Sequence, residues 1–188
     1  MDDLGLLPEK EGFVGPTFGL HNRLLRLVWK AVWLVLARWT PAFAHRWRIL
    51  LLRLFGARVS WRAYVYPDVV IWAPWQLAMA DYATLGPAVI CYNIAPVALG
   101  ARAVVSQYAY LCTGTHDYLD PAFPLLAKSI AIGRRAWVCA GAFVGPGVTV
   151  GDGAVLAAKG VAHRDLPPWS VHAGNPAVRL RDRPEIGD

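Results

Sequence analysis

Residues Ile132 to Val161 read IGRRAWVCAGAFVGPGVTVGDGAVLAAKGV, and an aliphatic residue returns at every sixth position: Ile132, Val138, Val144, Val150 and Leu156. A small residue follows each one four places on, at Ala136, Ala142, Val148, Ala154 and Gly160, and Gly133, Gly145 and Gly151 stand directly after three of the aliphatic positions. An amphipathic helix needs apolar spacings of three and four, and a half-buried strand needs two, so neither explains a period of six. A hexad is what a parallel β-helix requires: one coil has three short flat sides, and each hexad supplies one side and its corner. The aliphatic residue then points inward at an equivalent place every time, and small residues fill the tight corners.

Moving outward from this stretch, the same phase appears at Val59, Val65 and Ile71, pauses at Ala73-Pro74-Trp75, and resumes at Met79, Leu85 and Cys91. The next member is Leu99, so two extra residues bulge outward around Tyr92 to Pro96. Val105 and Leu111 continue the phase, with Ala83, Val89, Ala95, Ala103, Ala109 and Thr115 at the corner positions. Beyond His116 the pattern disappears over Asp117 to Ser129, which contains Pro121 and Pro124, and it returns at Ile130. That excursion is expected to leave the coil surface as a loop, where repeat proteins carry binding groups. The β-helix is thus expected over 58–166 with a loop at 117–129, ending near Leu166 because Pro167-Pro168 should stop strand formation. Residues 167–188 form a short C-terminal tail carrying Arg179, Arg181 and Arg183.

On the N-terminal side, residues 1–17 contain Gly5, Pro8, Gly12, Gly15 and Pro16 without a sustained period and read as an irregular arm. Residues 18–57 read as an amphipathic α-helical hairpin. From Phe18 to Trp39, Arg23, Arg26, Lys30 and Arg38 fall within an arc of about 120° on a helical wheel, and Leu24, Leu25, Val28, Val32, Val35, Leu36 and Trp39 cover the rest. Thr40-Pro41 then caps a second helix from Pro41 to Phe55, which Gly56 ends. The longest uncharged run, Ala31 to Ala37, is far short of the roughly 20 residues of a membrane span. Two readings of the hairpin stand: its apolar surface packs on the β-helix or on a neighbouring subunit, or it lies on an anionic inner leaflet with Trp29, Trp33, Trp39 and Trp47 among its arginines. Nucleic acid is a poor partner for so apolar a helix.

Composition sets the outer bounds. The 188 residues suffice for one domain with a substantial core and a small appendage. Three cysteines, Cys91, Cys112 and Cys139, suggest neither a disulfide framework nor a metal site. The formal charge is +6, yet Gly12 to Pro67 holds nine basic residues and no acidic one, so all the excess positive charge lies near the N-terminus. Asp2, Asp3, Glu9 and Glu11 stand where a secretory signal would be basic and then apolar. A cytoplasmic protein is expected, peripheral on the inner membrane face if the hairpin meets lipid.

Three stretches carry a resemblance: Leu111-Cys112-Thr113-Gly114-Thr115-His116-Asp117-Tyr118, Ala136-Trp137-Val138 through Val144-Gly145-Pro146-Gly147-Val148, and Asp165-Leu166-Pro167-Pro168-Trp169 with Ala173-Gly174-Asn175-Pro176-Ala177. In them, and across roughly residues 20–181, the chain resembles the hexapeptide-repeat acetyltransferases of sugar and exopolysaccharide synthesis, including the colanic-acid-biosynthesis type. The resemblance implies a left-handed parallel β-helix, a homotrimer, and acetyl-CoA as co-substrate bound between neighbouring subunits, with no metal. It places a general base at His116, whose imidazole would take the proton from a saccharide hydroxyl as the oxygen attacks the thioester directly. A backbone N–H near Ala140 or Gly141 would meet the oxyanion, while Asp117, Asp120 or a backbone carbonyl would orient the imidazole.

For the acceptor, the resemblance points to Asn93, with Tyr92, Asp117 and Tyr118 around the sugar; Asn93 reads equally as a turn residue bonded to local backbone. Trp137, Ala140, Gly141 and Ala158 match family positions along the pantetheine arm, and His163, Arg164, Arg179 and Arg181 lie where phosphates are expected. The family often has threonine-lysine where this chain has His163-Arg164, and Cys91 replaces an aliphatic residue. A γ-type carbonic anhydrase shares the fold but needs three histidines on a metal, and only His116 lies near the central corners. A non-catalytic β-helix scaffold is the other alternative, against which the intact Thr113 to Asp117 stretch argues.

Overall fold

A computed structural model describes residues 18–185, so the arm at 1–17 and the last three residues of the tail lie outside the described residues. Three parallel sheets run the length of a β-solenoid. Arg58–Val59, Leu77–Met79, Val97–Leu99, Ile130–Ile132 and Thr149–Val150 stack as the first face. Tyr64–Val65, Thr84–Leu85, Val104–Val105, Trp137–Val138, Val155–Leu156 and Ser170–Ala173 form the second. Val70–Ile71, Ile90–Tyr92, Tyr110–Cys112, Phe143–Val144 and Val161–Ala162 form the third.

The register is the one the hexads demand, with Val59 beside Met79, then Leu99, Ile132 and Val150. Every inward hexad residue from Val59 to Ala162 is at most 5% exposed. The corners refine the expectation about small residues. Positive φ at the second corner residue falls on Tyr82, Arg102, Tyr108, Arg135 and Lys159 as well as on Gly141, Gly147 and Gly153, although each non-glycine there costs about 1 kcal/mol or more. Smallness is required one step later, where Ala83, Ala103, Ala109, Ala136 and Ala142 turn inward and are fully buried. It is required again at Gly133 and Gly151, where an added Cβ would lie 2.5 and 2.6 Å from backbone nitrogen of the next coil.

The first coil has no predecessor, so the carbonyls that would accept from an earlier coil face an open edge, the usual liability of a sheet. The helical segment closes it. Helix α1 spans Leu20–Val32 and continues as a π-helical turn, Trp33–Ala37; helix α2 spans His45–Leu54. Arg53 donates to the Val59 carbonyl at 2.7 Å, Arg48 to Val65 at 2.6 Å and Trp29 to Ile71 at 2.8 Å. Each face of the first coil thus receives a side-chain donor, with His45 Nδ1 also 2.9 Å from the Val65 oxygen, while Trp29, Trp33, Ala37, Ile49 and Leu52 join the core.

The second helix begins at His45, four residues after the expected Pro41. Arg48 is the reason: its fully buried guanidinium also donates to the Thr40 hydroxyl and to the Pro41 and Ala42 carbonyls. Those carbonyls turn toward a cation, so residues 41–44 wrap the guanidinium instead of opening the helix.

Two further elements differ from expectation. The excursion after His116 is a two-stranded hairpin, with Gly114–His116 antiparallel to Leu125–Ala127. The solenoid also continues past Pro167-Pro168, because the prolines occupy a corner where no ladder donor is needed. Ser170–Ala173 joins the second face beside Val155–Leu156, and the tail folds back as Val178–Asp182, antiparallel to it.

Candidate active site

The third-face corner carries a column of excursions in which equivalent positions recur every twenty residues at Ala73, Asn93 and Thr113. Each is tied to its neighbour. The Asn93 amide accepts from the Ala73 N–H at 3.0 Å and donates to the Ala73 carbonyl at 2.6 Å. The Thr113 hydroxyl donates to the Tyr92 carbonyl at 2.9 Å and accepts from the Ala95 N–H at 3.0 Å. Asn93 and Thr113 are both fully buried. The amide of Asn93, a residue expected at the acceptor, is thus bonded to backbone of the preceding coil and braces the bulge it stands on. Gly114 follows Thr113 at a crowded spot: an added Cβ would stand 2.7 Å from Ile94 Cδ1 and 3.1 Å from Tyr92 Cε1 and would push those side chains aside.

From this anchored corner the Gly114–His116 strand projects, and His116 is exposed at its end. Its ring stacks on Phe123 with centroids 4.4 Å apart and planes 8° from parallel. Its Nδ1 lies 2.9 Å from the Phe123 carbonyl oxygen. A carbonyl only accepts, so Nδ1 carries the hydrogen and the Nε2 lone pair of the neutral imidazole is left free. Neither aspartate takes that place, since Asp117 Oδ1 accepts from the Leu119 N–H at 3.0 Å and Asp120 Oδ1 from the Ala122 N–H at 2.8 Å. Tyr118 stands exposed on the hairpin. Tyr92 packs edge-on to Trp72 at 5.8 Å, and burial, followed by Cys112, raises its phenol above the ordinary range.

The residues matched to the pantetheine arm gather elsewhere, on the second face and its following corner. Register places Trp137, Val155, Val171 and Arg181 in one outward row. Adjacent strands lie about 4.8 Å apart, so the row runs roughly 14 Å. The Trp137 indole N–H donates to the Ser106 hydroxyl at 2.8 Å, which fixes the ring on the face. Beside it, Lys159 N–H donates to the Ala140 carbonyl at 3.0 Å, which sets Ala158 and Lys159 along the Ala140-Gly141 corner. The Gly141 N–H is taken by the Gln107 carbonyl at 2.9 Å, which leaves the Ala140 N–H as the candidate oxyanion donor. Arg179 is paired with Asp182.

His163 and Arg164 are exposed at the same corner as His116, on a later coil. The site residues therefore form two groups in one chain: His116, His163 and Arg164 at the corner after the third face, and Trp137, Ala140, Gly141, Ala158 and Arg181 at the second face. The width of the third face lies between them. Phe123, Ser106 and Lys159 belong to these groups and were not singled out from sequence, because each acts on a residue at least seven positions away. Among the described residues no group of three or more His, Cys, Asp or Glu side chains is placed to hold a metal ion.

Comparison with known proteins adds relatives to this geometry. The chain is 40% identical over 185 residues to "Putative colanic acid biosynthesis acetyltransferase WcaF" of Escherichia coli K12, covering 98% of this chain and 99% of that one. Its fold is similar to that of a hexapeptide-repeat acetyltransferase from Vibrio cholerae O1 biovar eltor complexed with acetyl coenzyme A, with a TM-score of 0.78 and 24% identity over 91% of this chain and 95% of the other. It is similar as well to a galactoside acetyltransferase in complex with coenzyme A, with a TM-score of 0.76 and 22% identity over 89% of this chain and 84% of that one. No family model matches the chain.

Proposed function

The chain belongs to the hexapeptide-repeat acetyltransferases of the colanic-acid-biosynthesis type, and from that membership we propose that it moves an acetyl group from acetyl-CoA to a saccharide hydroxyl in exopolysaccharide or glycan synthesis. His116 is the general base. The observation that carries this role is the contact between its Nδ1 and the Phe123 carbonyl, which turns the free Nε2 lone pair outward on a projecting strand. Nε2 takes the proton of the acceptor hydroxyl while the oxygen attacks the thioester carbonyl, and the Ala140 N–H meets the oxyanion. The tetrahedral adduct then expels the coenzyme A thiolate, which recovers the proton from the imidazolium. No acyl-enzyme intervenes.

The two separated groups support a site shared between copies. In a trimer, the His116 corner of one protomer would face the Trp137 row of its partner, and the pantetheine arm would lie along Trp137 toward Arg181, with Lys159 alongside. Outward positions favour such packing. Tyr64, Val104 and Trp137 on the second face and Val70 and Ile90 on the third are apolar or aromatic and exposed, where a solvent-facing row would be polar.

The test is thiol release from acetyl-CoA over a panel of nucleotide sugars and lipid-linked saccharides, with the wild type beside His116→Ala. Loss of a general base is expected to lower turnover about 10²- to 10⁴-fold with the trimer intact. Turnover within a factor of a few of the wild type would remove His116 from the chemistry.

A further inference from the structure

We infer that the helical hairpin docks the protein on an anionic lipid surface. The hairpin has two faces, and the capping of the first coil uses only one. In α1 the buried stripe is Trp29, continued by Trp33 and Ala37 in the π-helical turn. At 100° per residue, Leu20, Leu24, Leu27, Val28 and Ala31 fall within an arc of about 100° facing away from Trp29, and all five are exposed. Leu34, Val35, Leu36 and Trp39 extend the exposed apolar surface to the end of the segment, and Trp47, Leu50 and Leu54 do the same on α2. At the connection between the helices, Trp39 is 79% and Phe43 84% exposed. A surface this broad exceeds the scattered apolar residues of an ordinary protein exterior.

Charge says what covers it. Residues 18–66 contain no acidic side chain, and exposed Arg23 and Lys30 border the apolar arc of α1, while exposed Arg38 and Arg46 flank the connection. An apolar arc edged with cations and bearing tryptophan and phenylalanine is the arrangement that lies in a headgroup layer, its apolar side several ångströms into the acyl boundary and its cations on anionic lipid. No helix among the described residues is long and apolar enough to cross a membrane, which leaves docking in the plane of the surface. A second copy of the chain is a weaker occupant, because the solenoid's second and third faces already offer apolar rows for assembly. None of the four flanking cations belongs to the site described above, so the docking stands independently of the acetyl-transfer reading.

The experiment is co-sedimentation of the full chain with vesicles of phosphatidylcholine containing phosphatidylglycerol, against vesicles of phosphatidylcholine alone, at low and high salt. Binding is expected with the anionic vesicles and is expected to weaken as salt rises. Trp39→Glu with Phe43→Glu, and separately Arg23→Glu with Lys30→Glu, should each lower it at least about tenfold. The assembly size and unfolding midpoint of both variants should stay at wild-type values. Equal binding to both vesicle types, or none to either, would overturn the docking. So would a fall in assembly size in the Trp39 and Phe43 variant, which would assign the surface to a second copy. Binding that appears only after residues 1–17 are removed would assign it to that segment and overturn the proposal equally.

Discussion

The solenoid and the hairpin are built from similarly apolar sequence and use it in opposite ways. In the solenoid, the hexad residues Val59 to Ala162 point into one continuous core. In the hairpin, Trp29, Trp33, Ile49 and Leu52 are buried, while Leu20, Leu24, Leu27, Leu34, Val35, Trp39, Phe43 and Leu54 stay outside. Burying an aliphatic side chain contributes about 1.5–3 kcal/mol. The solenoid draws that contribution at every coil, whereas the hairpin draws it at a few positions and adds hydrogen bonds to a sheet edge. Its remaining apolar surface has no role in the fold of a single chain.

This contrast can be broken by substitution, with unfolding followed in urea at one protomer concentration throughout, since assembly and stability are linked. The largest expected effect is at the core: Leu85→Ala should cost about 2–5 kcal/mol, whereas Leu27→Ala, 64% exposed, should stay within about 0.5 kcal/mol. Similar costs at the two positions would show that protein covers the hairpin's outer side. Next comes Arg48→Met, which leaves the Pro41 and Ala42 carbonyls and the Thr40 hydroxyl without the guanidinium and the Val65 carbonyl with His45 alone; a loss of about 2–4 kcal/mol is expected. A cost near zero would mean that water replaces the guanidinium. The smallest loss among the buried positions is Trp29→Phe, which keeps an aromatic ring in the core and removes one donor from the Ile71 carbonyl, for about 1–2 kcal/mol. If that variant is as stable as the wild type, the edge-capping account fails on the third face.

The hexad phase made the solenoid legible because each coil repeats the same demand at the same residue, and even the two-residue bulge near Asn93 shows as a slip from Cys91 to Leu99. The short motif around His116 singles that residue out in the sequence. What positions it is not legible there. The Phe123 carbonyl and ring reach it across a strand pair, Gly114–His116 with Leu125–Ala127, that has neither a hexad nor a clean alternation. The pairing of Asn93 was hidden for the same reason: its partner, Ala73, lies twenty residues earlier and is brought near only by coil stacking. Pro167-Pro168 looked like a stop because proline cannot donate in a strand, and sequence alone does not distinguish a strand from the corner in which these two sit. Arg48 delayed the second helix through carbonyls that a helical pattern would have assigned to the helix itself.

The three donors on the first coil read only main-chain oxygen, so any coil could stand beneath them. Inserting or deleting one complete turn between the lid and His116, such as the twenty-residue step from Val59 to Met79, would leave the lid's chemistry unchanged and raise or lower the His116 corner by a single rung of about 4.8 Å. The altitude of the His116 imidazole above its base is thus set in discrete steps, and related chains could retune their reach by counting turns.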